Sequence, residues 1–149
     1  MIDLSTLIRE LDAHGYAVRA KAARTPAIGA VHLAKIAGKR QEHFAVLTLN
    51  TKFEPIKLHI VGKGIVDACV TSPREVFYHA IKDNAYSIMI AHNHPSGDTG
   101  PSPEDWAMTK KLIQAGKIMQ IDVVDHIIMG ETVNDFRSLR EMNPGMFQE

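Results

Sequence analysis

The sequence predicts a layered α/β domain, on two observations. From Glu42 onward, short apolar runs rich in β-forming residues alternate with stretches of helical periodicity. Two of those helical stretches open on a Ser-Pro pair, Ser72-Pro73 and Ser102-Pro103, and each leads into a further apolar run. The 149 residues suffice for one domain with a sizeable core.

Residues 4–14 place Leu4, Leu7, Ile8 and Leu11 on one helical stripe, with Gly15 as its stop. Residues 15–25 are polar, basic and alanine-rich without a period, and read as a linker or part of an N-terminal appendage. Pro26 opens a second helix carrying Ile28, Val31, His32 and Ile36 on one side and ending at Gly38. His32 has no metal-ligand partner four residues away and reads as a helix-face residue. Residues 43–50 read as a central strand and 54–61 as its hairpin partner, with turn chemistry at 50–52. Ile56, Leu58 and Ile60 alternate with Lys57 and His59, which predicts a wet face bearing His59. Gly62 and Gly64 mark a bulge or loop before a third short strand at 65–70.

Ser72 as N-cap, Pro73 in the first turn and Glu75 three residues on predict a capping box. The helix runs to about Asp83, with Val76, Phe77, Ala80 and Ile81 as its buried stripe. Residues 85–91 read as a buried strand whose end delivers His92. Ser102, Pro103 and Asp105 open another helix running to about Gly116, with Trp106, Met108, Leu112 and Ile113 available for packing. Residues 121–129 form a further strand, 130–131 a turn and 133–136 a last strand. Residues 138–141 make a terminal turn before a frayed end.

Composition excludes several classes of function. One cysteine, Cys69, rules out an internal disulfide and any Cys-x-x-Cys zinc or redox pair. The apolar runs fall short of the roughly 18 residues a membrane span needs. No membrane partner is expected, and the cytoplasm is the expected compartment. Net charge is zero, which is not the footprint of a dedicated nucleic-acid binder. It is unevenly spread, however: residues 1–41 carry seven Lys and Arg against three acids, and the remainder carries the balancing acidic excess. A nucleic-acid partner therefore stays a weakly supported alternative.

The chemistry concentrates in residues 91–105, AHNHPSGDTGPSPED. On an extended segment the side chains of His92 and His94 point to the same side. Asp105 falls in the first turn of a helix, where the dipole favours a carboxylate. Pro95, Gly97, Gly100 and Pro101 let the chain turn between them. Two imidazoles and a carboxylate, with a fourth position left for water, are the donor set of a catalytic zinc site. Ser102 and Asp105 also match an ordinary helix cap, and the two roles are compatible. Asp98 and Ser96 read as residues that shape the loop, and His126 as a hydrogen-bonded core histidine that can support the ligands. The helical His-Glu-x-x-His signature, the nucleobase deaminase signature and a phosphate-cradling loop are all absent.

The order Glu…His-x-His, seven residues, Ser, two residues, Asp resembles the JAMM (MPN+) metalloprotease motif. The longer string HNHPSGD…PSxxD, preceded by SPREVFYHAIKDNAYSIMIA and followed by VDHIIMG, resembles the RadC family of JAB-domain proteins over about residues 40–136. The resemblance implies a deaminase-like three-layer α-β-α sandwich with a mixed β-sheet. It divides the chain into an N-terminal helical extension at 1–40 and a zinc hydrolase domain at 41–149. It also implies one zinc ion per chain held by His92, His94 and Asp105, Ser102 on the oxyanion side, and Glu42 as general base. Two features depart from the family. Its usual helix-hairpin-helix motif is not visible in residues 1–40, and Thr99-Gly100 stands where a proline is common.

These roles add up to metal-assisted hydrolysis of a peptide or isopeptide bond in an unknown protein or peptide substrate. His43, next to Glu42, should alternate to the opposite face. A rival reading is a DNA-repair-associated DNA- or partner-binding module with vestigial hydrolysis. A metal-dependent nuclease is less apt, because one His/His/Asp site lacks the carboxylate cluster of two-metal phosphodiester chemistry.

Overall fold

The computed structural model describes residues 22–64 and 72–148. The helix expected at 4–14, the strand expected at 65–70 and Cys69 lie outside the described residues. Helix α1 (Pro26–His32) is capped by Thr25, whose hydroxyl accepts from the amide of Ile28. A 3-10 turn, Ala34–Ile36, follows. Ala30, Leu33 and Ile36 have no exposed surface. Gly38 adopts φ +70° and its amide donates to the carbonyl of Gly130; a Cβ there would lie 2.6 Å from the Glu131 carbonyl oxygen.

Strands β1 (His43–Leu49) and β2 (Pro55–Lys63) form the expected hairpin, turned on the Asn50 side chain, which accepts from the amides of Lys52 and Glu54. The register jumps from Phe44 opposite Gly62 to Ala45 opposite Ile60, so the extra residue is Val61, within β2. His59 departs from expectation. Its Nε2 lies 2.6 Å from Asp83 Oδ2 and its ring stacks on His79 at 4.3 Å, because the next helix covers that face of β2.

That helix, α2 (Pro73–Lys82), keeps Pro73 in its first turn, but the Ser72 side chain makes no capping bond, so the predicted box is not formed. Val76, Phe77 and Ala80 are buried; Ile81 is 56% exposed. The chain turns at Asn84 (φ 52°), and Ala85 tucks under the helix end into the core place expected for Ile81.

Strand β3 (Ser87–Asn93) is buried throughout and leads through a loop into α3 (Pro103–Met119). Helix α3 runs past Gly116 and ends at Gln120 in the left-handed region. Gly116 serves packing, since a Cβ on it would lie 2.5 Å from the Ile121 carbonyl oxygen. Leu112 and Ile113 are buried, and Trp106 and Met108 partly so. Strand β4 (Asp122–Met129) follows. The last strand is β5 (Phe136–Ser138) and not 133–136, because residues 130–135 close a turn in which the Gly130 amide donates to Asp135. Helices α4 (Leu139–Met142), capped by Ser138, and α5 (Pro144–Gln148) complete the described chain.

The sheet is mixed, in the order β2-β1-β3-β4-β5, with β3 and β4 parallel and the other pairs antiparallel. One face, with Leu47, Met89, Ile127 and Met129, packs against α1 and the 3-10 turn. The other, with Val46, Ile88, Ile90 and Val123, packs against α2 and α3. This is the expected three-layer α-β-α arrangement. No helix among the described residues is long and apolar enough to cross a membrane.

Candidate metal centre

The site lies beyond the carboxyl ends of the parallel strands β3 and β4, where open α/β sheets place ligands. Strand β1 runs antiparallel to β3 with Phe44 opposite His92. Two places further along, the same register brings Glu42 across from His94. All four side chains share the face covered by α2 and α3, and Phe44 stacks on His92 at 6.4 Å. His43 alternates to the opposite face, as expected.

Past β3 the chain is held closely. The His94 amide donates to the Met129 carbonyl, the Gly97 amide to the His94 carbonyl, and the Gly100 amide to Asp98 Oδ1. Ser96 accepts from the Asp98 amide, so Ser96 and Asp98 shape the loop as the sequence suggested. At its far end Ser102 and Asp105 form a reciprocal capping box: Asp105 N donates to Ser102 Oγ (3.1 Å) and Ser102 N to Asp105 Oδ2 (2.9 Å).

This brings three side chains together. His92 Nε2 and His94 Nε2 are 2.9 Å apart, and they lie 3.2 and 3.3 Å from Asp105 Oδ1 and Oδ2 respectively. Glu42 flanks the pair, with its carboxylate oxygen and the two imidazole nitrogens all within 4.8 Å of one another.

The hydrogen bonds around the cluster settle where its protons are. Thr109 Oγ1 lies 2.6 Å from the Asp105 carbonyl, which only accepts, so the hydroxyl donates there. Its single proton being used, Thr109 accepts from His126 Nδ1 at 2.6 Å. His126 Nε2 then accepts from His92 Nδ1 at 2.7 Å. His92 therefore presents an Nε2 lone pair to the cluster. His94 does the same, because its Nδ1 donates to the Asp98 carbonyl at 2.6 Å. Thr109 and His126 have no exposed surface.

Two imidazole lone pairs and a carboxylate facing one another require a positive charge among them. In the metal-free protein a proton supplies it. The Asp105 hydrogen bond raises the pKa of His94 above its ordinary value, against burial that lowers it. Burial alone would raise Asp105, but the imidazoles of His92 and His94 beside it, with one shared proton between them, hold it far below the usual carboxylate range. His126 is pushed well below 6.5, by burial first and the neighbouring His92 second, and stays neutral.

A divalent cation fits the same donor set. Ligand atoms about 2.0–2.1 Å from a tetrahedral zinc are themselves roughly 3.3 Å apart. Each imidazole nitrogen faces a different Asp105 oxygen, at 3.2 and 3.3 Å, and Glu42, His92 and His94 form a second set able to hold a metal ion. The sequence-predicted residues Glu42, His92, His94, Ser102 and Asp105 are thus all at one place. Thr109 was not singled out, although it stands one helical turn after Asp105. Asn93 was also missed. Buried between the two histidines, it accepts from His43 N at 2.6 Å and donates to the carbonyls of Lys39 and Gln41, fixing the segment that carries Glu42.

A profile of the RadC-like JAB domain matches residues 24–144. The UPF0758 protein of Alkaliphilus metalliredigens is 46% identical over 102 residues, which make up 68% of this chain and 43% of that protein. The UPF0758 protein of Shouchella clausii is 48% identical over 104 residues, 70% of this chain and 44% of its own. That of Thermosynechococcus vestitus is 40% identical over 121 residues, with coverage of 80% and 48%. The chain spans less than half the length of these curated relatives. Because the matched region takes in most of the chain and every side chain of the cluster, the chain belongs to the family of RadC-like JAB domains.

Proposed function

We propose that the domain is a zinc-dependent hydrolase of the JAMM type acting on a peptide or isopeptide bond. The observation that carries the reading is the convergence of the His92 and His94 Nε2 lone pairs on Asp105, with a second carboxylate, Glu42, at their side. His92, His94 and Asp105 would hold one zinc ion per chain. When bound, zinc supplies Lewis acidity that acidifies water and polarises a carbonyl.

The chain's own groups do the rest. Glu42 lies beside the two histidines, close enough to act on a water held among them. It removes a proton from the attacking water and returns it to the leaving amine. Ser102 Oγ accepts from the Asp105 amide, which leaves its own O–H to donate to the oxyanion, a contribution of roughly 3 kcal/mol in comparable sites. Neutral His126 takes no part in proton transfer; it orients His92. Protein or peptide substrate is the partner we assign, and the cytoplasm the compartment. The complete set of Glu42, His92, His94 and Asp105 speaks against a DNA- or partner-binding module with a vestigial site.

The test has two arms. Metal analysis of the purified chain is expected to find one zinc per molecule, lost in His92→Ala. A peptide and isopeptide library is expected to yield cleavage that Glu42→Gln abolishes while zinc stays bound. Absence of any divalent metal, or cleavage indifferent to Glu42→Gln, would remove the assignment.

A further inference from the structure

On the far side of the sheet end from Glu42 lies a feature that hydrolysis leaves unused. His43 faces a groove of about 480 Å³ that it lines with Lys35, Ile36, Lys39, Ile60 and Lys63, among others, and none of the described lining residues is acidic. The three lysines come from three separate segments: the 3-10 turn, the 37–42 loop and the end of β2. All three are exposed.

The walls of the groove are built rather than loose. Asn93, 1% exposed, bonds the carbonyls of Lys39 and Gln41 (3.1 Å each) and the amide of His43. The Gly38 amide ties the same loop to Gly130, and the extra residue in β2, Val61, lines the groove. Since Asn93 lies between His92 and His94, one buried side chain fastens both the groove and Glu42 to the end of β3.

We propose that this groove docks an acidic stretch of peptide a few residues from the bond to be cleaved. It rests on the hydrolase reading only in calling that peptide a substrate. Three lysines line one groove in which no described lining residue carries a carboxylate, which favours a ligand with one or two negative charges. Ile60 and Val61, half-buried in the wall, offer apolar surface to the stem of a Glu side chain. The backbone of a peptide held there reaches Glu42 by rounding the sheet end, one residue from His43. Nucleic acid fits less well. A duplex carries a charge every ~1.7 Å along a surface longer than this groove. It would also meet exposed Glu131, whose backbone touches the 37–42 loop at Gly38.

Fluorescence anisotropy of a labelled oligoglutamate peptide on the full chain tests this, with a neutral peptide and a short DNA duplex as comparators. The oligoglutamate is expected to bind in a salt-dependent way. Reversing Lys35, Lys39 and Lys63 to Glu should weaken it by about tenfold or more. Reversing Lys110, Lys111 and Lys117 on α3 should leave it unchanged. Equal loss from both triple variants, no effect of the groove variant, or tighter binding of the duplex than of the peptide would each overturn the proposal. Zinc content is measured on the same samples. Groove-dependent binding by a chain that takes up no metal supports the groove while removing the hydrolase; zinc-dependent cleavage without groove dependence does the reverse.

Discussion

His92 Nδ1 lies 2.7 Å from Nε2 of His126, a histidine with no exposed surface whose other nitrogen is committed to Thr109. The tautomer of His92, a proposed ligand, is therefore dictated from inside the core, through α3.

His126→Ala is expected to weaken zinc binding by about 10–100-fold, the usual cost of losing a partner that orients a ligand. Thr109→Val, which keeps the shape and removes the hydroxyl, should give a smaller loss. The double variant should be no worse than His126→Ala alone, because both act through one chain of bonds. Competition with a chromophoric chelator measures all three; additive losses would show that the relay is not the cause.

The stability of the metal-free chain should depend on pH through His94. Its folded pKa is raised above 6.5 by Asp105, so its contribution is fully present below that value and is lost as pH rises through the folded pKa. Asp105 is depressed, so its contribution is present above 3.8 and fades only in strong acid. Zinc on the proposed ligands would compete with the proton on His94, so its stabilising effect should grow from pH 6 to pH 8. Thermal melts with and without zinc across that range check it, and a zinc-induced shift that shrinks with rising pH would contradict it.

The two jobs of the capping box should come apart by mutation. Ser102→Ala removes the N-cap acceptor and is expected to cost about 1 kcal/mol while leaving zinc binding largely intact. Asp105→Asn can still accept from the Ser102 amide, and should lose zinc with little effect on the helix. Chemical denaturation and metal titration on the same preparations separate the effects.

Gly116→Ala would ordinarily stabilise a helix by up to about 1 kcal/mol. Here the new methyl meets the Ile121 carbonyl at 2.5 Å and Phe77 at 3.4 Å, so a net destabilisation of roughly 1–3 kcal/mol is expected. A lowered melting temperature without a change in zinc stoichiometry would bear this out.

The clustering of His92, His94 and Asp105, the proposed ligands, was legible because its information is local: alternation brings His92 and His94 to one side, and a Ser-Pro helix start carries Asp105. Glu42 is a different case. Its place beside His94 depends on the register of β1 against β3, which no local pattern encodes, and the sequence reached it only through family resemblance. Ile81 was misplaced because helical periodicity does not reveal where a helix overhangs its sheet. The helix was expected to run only to about Gly116 and runs to Met119, because that glycine marks a place where two backbones touch. The wet face assigned to His59 was real as a pattern, but α2 comes back to cover it. Asn93 passed unnoticed between two histidines because its partners, residues 39–43, are brought to it only by the fold.

The proposed ligands lie within one short stretch, 92–105, whereas the proposed base stands some fifty residues earlier on another strand. Closing the first set needs a short loop and a helix start; bringing in Glu42 needs β1 to pair with β3, the slower kind of event. On the proposed mechanism, ion and base therefore meet only once β1 has paired with β3, so the site is complete only in the folded sheet.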